Sequence, residues 1–186
     1  AVQRVKKDVP NGLKIKDKWF EKVPIDDYEK FIRDVVLTGL FDIIWLHDAS
    51  AGTDPVDNLR KEFPKQIFPV TASNYRPVGG NAYWIQAYAH EAAYLSGVIA
   101  GKVTKTDTIG MVAGFPYASV NHLLNAFADG ARSVNSGVKF KVAYIEAWWD
   151  PVKAKETALA QIEAGADVIY SERYGAFEAA RDKKVL

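Results

Sequence analysis

The sequence predicts an α/β fold with parallel sheets arranged as two lobes, and three observations carry that prediction. Short apolar runs of strand character recur between longer stretches of helical period. Two helices open on an Asp-Pro pair, Asp54-Pro55 and Asp150-Pro151. A polar break, Lys102-Val103-Thr104-Lys105-Thr106-Asp107, separates one set of alternating units from a second. Strands alternating with helices of this length imply parallel sheets and right-handed crossovers. The expected division is 1–104 as part of a first lobe and 105–186 as a second.

Taken in order, 12–20 alternates polar and apolar residues and reads as a strand exposed on one side. Asp26 with Glu29 fits a capping box, opening a helix that carries Tyr28, Phe31, Ile32 and Val35 on one face before Gly39 stops it. Residues 41–46 form a nearly continuous apolar run, the pattern of a strand covered on both faces. Asp54-Pro55 opens a helix whose buried stripe is Val56, Leu59 and Phe63. A strand from Gln66 to Val70 follows, and 84–102 reads as a helix rich in Ala, Gly and Ser, open to close approach by another element. In the second set, 108–113 is a strand, and the helix after it buries Val120, Leu123, Leu124, Phe127, Ala131 and Val134 at helical spacing. Val138, Phe140, Val142 and Tyr144 alternate along the next strand. Asp150 can cap, and Pro151 can start, a helix presenting Val152, Ala158, Leu159 and Ile162. A third strand, 166–170, precedes a last helix bearing Phe177 and Ala180. The final Lys184-Val185-Leu186 has the look of a strand beginning, so the chain is expected to be an incomplete portion of a longer protein.

The composition narrows the function classes. A chain of 186 residues with 48% hydrophobic and 25% charged residues can bury a substantial core and is not of disordered type. With 24 Lys+Arg against 23 Asp+Glu the net charge is +1, so no excess of positive charge invites nucleic acid. The absence of cysteine removes disulfides, thiolate metal sites and a cysteine nucleophile. No stretch is long and apolar enough to span a bilayer, and the first residues are not of signal-peptide type.

In open parallel sheets ligands bind beyond the carboxyl ends of the strands. In the second half those ends are Gly114-Phe115-Pro116-Tyr117, Ala147-Trp148-Trp149-Asp150 and Ser171-Glu172-Arg173-Tyr174, each with an aromatic beside a polar group or turn former. Phe115, Tyr117, Trp148 and Trp149 are candidates to wall a pocket for a flat, partly polar ligand such as a heterocyclic base, with Glu172 beside them. Only one of the two adjacent tryptophans can readily face the cleft, and Trp148 is expected to matter more for binding than Trp149. The competing role for either tryptophan is packing in a core or between lobes. The first half offers His47, Asp48, Ser50, Asp54, Asn74 and Tyr75 at matching places, groups suited to sugar hydroxyls. Asp54 also fits a plain helix cap.

Catalytic patterns are absent or broken. His90-Glu91 starts like a zinc-protease helix, but Tyr94 stands where the second His is needed, so no metal site is expected. There is neither a nucleophile elbow nor a Walker loop, and 110–114 lacks a phosphate-binding lysine. His47 and Asp48 are adjacent on a strand and point to opposite faces. His122 lies within a helix and is expected to be partly exposed. No catalytic residue and no cofactor is expected.

Four segments resemble the basic membrane protein family, the substrate-binding proteins of ABC importers that include purine nucleoside receptors. They are 91–102 (EAAYLSGVIAGK), 109–114 (IGMVAG), 125–131 (NAFADGA) and 165–169 (GADVI), and 148–155 (WWDPVKAK) is similar to the family's aromatic-Asp-Pro-Ala-Lys segment. The resemblance runs from about Gly12 to Leu186. It implies a type I periplasmic-binding-protein fold of two Rossmann-like lobes closing on a nucleoside, with an ABC permease and ATPase as partners. It also implies an extracytoplasmic location, with the membrane reached only through a lipid anchor outside this chain. Asp54 falls where the family has an acidic residue near the ligand. Leu123 stands where many members have a pocket-lining Phe, which shifts base stacking to Phe115, Tyr117 or Trp148. Glu172 and Arg173 replace smaller residues of many relatives. Two other classes remain open on the residues: an α/β enzyme acting on a small polar metabolite through His47, Asp48 or Glu172, and a ligand-sensing domain of the same fold.

Overall fold

The computed structural model describes residues 15–21, 23–47, 54–71, 79–85 and 87–186. A short 3-10 turn at Ile25–Asp27 leads into α1 (Tyr28–Leu37), followed by β1 (Leu46–His47), α2 (Asp54–Glu62), β2 (Phe68–Thr71) and β3 (Ala82–Ile85). The chain then runs through α3 (Ala89–Val103), β4 (Thr108–Ala113), α4 (Ala118–Val134), β5 (Lys139–Tyr144), α5 (Pro151–Glu163), β6 (Val168–Ser171) and α6 (Ala176–Lys183). The strands make two three-stranded sheets, ordered β1-β2-β3 and β5-β4-β6, and every pairing is parallel.

The first sheet rests on one core, in which Leu46, Phe68, Val70 and Ala82 meet Tyr28 and Ile32 of α1 and Val56 and Leu59 of α2. Four sequence expectations are corrected in this half. Residues 15–20 form no strand. The run 41–46 enters the sheet only at Leu46 and through an Ile43–Ile67 bridge, with Ile43 and Trp45 exposed. The reason is that, among the described residues, β1 pairs on one side only and one of its faces is covered, so Ile44 and Leu46 turn inward. The capping box does not form, because Glu29 is taken by Arg33 four residues on, with Arg33 Nη2 donating to Glu29 Oε1 at 2.7 Å. Residues 84–85 complete β3 rather than opening a helix, since Trp84 and Ile85 pair with Val70 and Thr71.

The second sheet is the better buried. Its centre, β4, is covered on both faces, and all of 109–113 is buried. On one face Ile109, Met111 and Ala113 meet α4 through Val120, Leu124, Phe127 and Ala131, and α3 through Ala93 and Ala100. On the other Val112 and Ile145 meet Ala154 and Ala158 of α5 and Ala176 and Ala179 of α6. Val134, Val152 and Phe177 are exposed instead of joining these stripes. The inward face of α5 is a narrow line of small residues with buried Gln161, whose Nε2 donates to Met111 O at 3.1 Å and Lys141 O at 2.9 Å.

The small residues of α3 do what their size allows. A Cβ on Gly97 would collide with the Phe127 carbonyl of α4, and a Cβ on Gly130 with the Tyr94 carbonyl of α3. The two helices therefore touch backbone to backbone through reciprocal glycines. The expected division after Thr104 groups α3 with the first lobe; its packing partner is α4, beside the second sheet. Asp167, at the foot of β6, ties down the connection from α3 to β4: Oδ1 accepts from Thr104 Oγ1 at 2.6 Å, and Oδ2 from the amides of Lys105 at 2.6 Å and Thr106 at 3.1 Å. Burial alone would raise the Asp167 pKa, but these hydrogen bonds outweigh it and hold the carboxyl below its ordinary value.

Candidate functional site

The order β5-β4-β6 means that the chain leaves β4 toward one neighbour and later returns to the other, which makes the carboxyl end of β4 a topological switch point. Pairing of β4 with β5 runs two residues past the strands, with Ile145 N donating to Ala113 O and Glu146 N to Gly114 O, both at 2.8 Å. Glu146 then takes a left-handed conformation, φ 54°, and turns the chain back. Trp148 comes to lie across Gly114, where an added Cβ would stand 3.3 Å from the indole Cε3 and 3.2 Å from the Ala147 carbonyl. A side chain at position 114 would need its neighbours to give by a few tenths of an ångström, so glycine lets the indole lie this close.

The turn after β4 brings Phe115 and Tyr117 to the same place. Their rings stack at 5.4 Å between centroids, and the Trp148 ring lies 4.9 Å from Phe115 and 5.7 Å from Tyr117. Asn121 braces the turn, its Nδ2 donating to Pro116 O at 3.3 Å while its Oδ1 accepts from Tyr144 OH at 2.6 Å. Trp149 turns the other way and tilts against Tyr174 at 5.1 Å. The adjacent indoles thus part company: Trp148 is 44% exposed within a three-ring wall, and Trp149 is 70% exposed outside it. Below them Asp150 caps α5 as its sequence setting predicts, its Oδ1 accepting from Lys153 N at 2.9 Å with Pro151 at the first helical position.

The end of β6 supplies the charged part of the site. Gly114 N donates to Glu172 Oε1 at 2.7 Å, and Glu172 Oε2 is paired with Arg173 Nη2. Arg173 Nη1 donates to Trp148 O at 2.6 Å, and the guanidinium sits 5.2 Å from the Trp148 ring centroid. Ser171 Oγ fixes the turn, donating to Val112 O and accepting from Arg173 N, both at 2.9 Å. Burial, then the Glu172 carboxylate, raises the Tyr170 phenol above its ordinary value.

Of the sequence candidates, the structure gathers Phe115, Tyr117, Trp148 and Glu172 at one edge and sets Trp149 beside them. Asp48, Ser50, Asn74 and Tyr75 lie outside the described residues, and of Asp54 only its position as the first residue of α2 is described. At the carboxyl edge of the first sheet His47 Nδ1 is 2.9 Å from Thr71 Oγ1, which also accepts from Trp45 Nε1 at 3.1 Å. Sequence reasoning passed over Thr71 and the contact of Arg173 with Trp148. A Glu-Arg pair at a strand end was the available signal for the second. A groove of about 530 Å³ lies on the α3–α4 flank, where His90 and His122 stack at 4.2 Å, rather than at the strand ends. Among the described residues no group of His, Asp and Glu could hold a metal ion, and no helix is long and apolar enough to cross a membrane.

Two parallel sheets flanked by helices, with a switch point at the end of β4, make this an α/β protein of the type I periplasmic-binding-protein fold. The chain belongs to the family described as ABC transporter substrate-binding protein PnrA-like, whose model matches residues 1–185. A protein of Haloferax volcanii that bears the name of an ABC transporter glucose-binding protein is 41% identical over 120 residues, 64% of this chain and 30% of that protein. A protein of Brucella abortus named as purine-binding is 32% identical over 134 residues, 71% of this chain and 38% of that protein. Among solved structures, an ABC transporter solute-binding protein of Aeropyrum pernix K1 superposes with a TM-score of 0.78 at 19% identity, covering 98% of this chain and 52% of that one. The chain thus spans about half of that solved relative, and the aligned segments span well under half of the two sequence relatives.

Proposed function

We propose that this chain is part of an extracytoplasmic solute-binding protein of an ABC importer that holds a purine nucleoside against the Phe115, Tyr117 and Trp148 wall. The observation that carries this reading is the convergence of three aromatic rings from two strand ends at a topological switch point, with centroids 4.9–5.7 Å apart. The name of the Brucella relative supports a purine base. In this reading 1–104 and 105–186 mark the two lobes along the sequence, with α3 at the end of the first stretch packed on α4 of the second, and His47, Asp48, Ser50, Asp54 and Tyr75 are the candidates for binding the sugar. Closure of the lobes covers the base and excludes water. The protein binds without turnover and hands its ligand to a permease driven by an ATPase, held near them by a lipid anchor beyond this chain.

The test is calorimetric titration of adenosine, guanosine, inosine and their free bases. Saturable heat with at least one nucleoside is expected, and a flat response to all of them rejects the reading. The name of the Haloferax relative favours a hexose as the second candidate, and an aromatic wall also stacks on a sugar face. Glucose in the same titration, binding where no nucleoside does, moves the assignment to sugars.

A further inference from the structure

We infer that Glu172 and Arg173 form a clasp that positions Trp148, so that Glu172 governs ligand affinity through the indole rather than by touching the ligand. The clasp rests on the nucleoside reading for its function, although its geometry does not. Both carboxylate oxygens of Glu172 are engaged, Oε1 by the Gly114 amide at 2.7 Å and Oε2 by Arg173. Arg173 is engaged in turn by the Trp148 carbonyl at 2.6 Å and by the face of its ring at 5.2 Å. The side chains are only 19% (Arg173) and 13% (Glu172) exposed, so solvent screens the pair weakly. The result links the ends of all three strands: Gly114 after β4, Trp148 after β5 and the pair itself after β6.

Two features set this apart from a chance surface ion pair. Trp148 lies two residues after Glu146, held at φ 54°, and in no regular strand or helix that would fix its indole. Arg173 is pinned at both ends, and its planar guanidinium lies over the ring it orients. Removing the Glu172 charge releases one end of that bridge, and the indole is then free to reorient before any ligand arrives. A wall that must be re-ordered on binding gives up affinity.

The test uses the full chain with 5-fluorotryptophan incorporated and the Trp148 resonance assigned through Trp148→Phe. Glu172→Gln is the informative change, because the amide oxygen can still accept from Gly114 while the ion pair is lost. Without ligand, the Trp148 line is expected to broaden or split in Glu172→Gln and in Arg173→Met, with no rescue by Arg173→Lys, while the Trp45 and Trp84 lines stay put. In titrations with adenosine, Glu172→Gln is expected to weaken binding about tenfold. An unchanged Trp148 line overturns the clasp, even if affinity falls, because Glu172 would then act on the ligand directly. A shift of all the tryptophan lines overturns it too, by making the pair a general support of the fold. If the unsubstituted chain binds no nucleoside, the proposed function fails, and the ligand-free spectrum still decides whether the clasp exists.

Discussion

Trp148 and Trp149 are neighbours in sequence with different tasks. Trp148 completes a wall with Phe115 and Tyr117, whereas Trp149 leans on Tyr174 outside it. Stacking of a base on an aromatic side chain is worth about 1–3 kcal/mol. Trp148→Ala is therefore expected to weaken nucleoside binding by about that amount, and Trp149→Ala by well under 1 kcal/mol. Isothermal titration of the two variants measures this, and equal, negligible losses would assign both indoles to packing. The same pair shows where reading residues in order stops: the sequence puts two indoles at one strand end, and it is the reversal at Glu146 that separates them.

Helices α3 and α4 meet through Gly97 and Gly130, each lying where a side chain would strike the other helix's backbone. Backbone cannot give way as a flexible side chain can, so Gly97→Ala and Gly130→Ala should each cost about 1–3 kcal/mol, read as a lower denaturant midpoint. Alanine at Gly165, which has nothing within 4 Å but a φ of 97°, would act through conformational strain alone and serves as a contrast. The connection from α3 to β4 has its own fastening in Asp167. Its native pKa lies below its unfolded value, which is near 3.9, so its stabilising effect is complete above that pH and is lost as pH falls through the lower native value. Melting temperatures recorded from neutral to acid pH should show this decline, and Asp167→Ala should flatten that part of the curve while lowering stability by about 1–3 kcal/mol near neutrality. A profile indifferent to the substitution would show that the three hydrogen bonds do not fasten the connection.

At the scale of the whole molecule the described residues hold separate cores. Leu59 of α2 is fully buried with Phe68 and Val70 under the first sheet, and it shares no cluster with the residues around β4. Truncation of such a residue costs about 2–5 kcal/mol. In Leu59→Ala, hydrogen exchange should quicken in α1, α2 and the first sheet and leave the amides of β4 and α4 protected. Loss of protection throughout would mean that the two halves unfold as one cooperative unit.

Much of the second half was legible in order. The strand 108–113, the helix with Val120, Leu124, Phe127 and Ala131, and the Asp150-Pro151 start all lie where periodicity and capping chemistry put them, because a strand covered on both faces and a helix with one broad stripe leave strong patterns. The first half was less legible, since β1 is covered on one face among the described residues and β3 is four residues long. The aromatic wall was anticipated as a set of strand ends. By itself the sequence determined the alternation of parallel strands and helices, the family, and which residue types stand at the carboxyl edge, because local period and capping chemistry are written in neighbouring residues. Only the tertiary structure decided that β4 lies between β5 and β6, that Trp149 leans on Tyr174 while Trp148 meets Phe115 and Tyr117, and that Glu172 reaches Gly114 and holds Arg173 on Trp148. Those contacts join residues tens of positions apart, and nothing in the local pattern specifies which distant partner a side chain will meet.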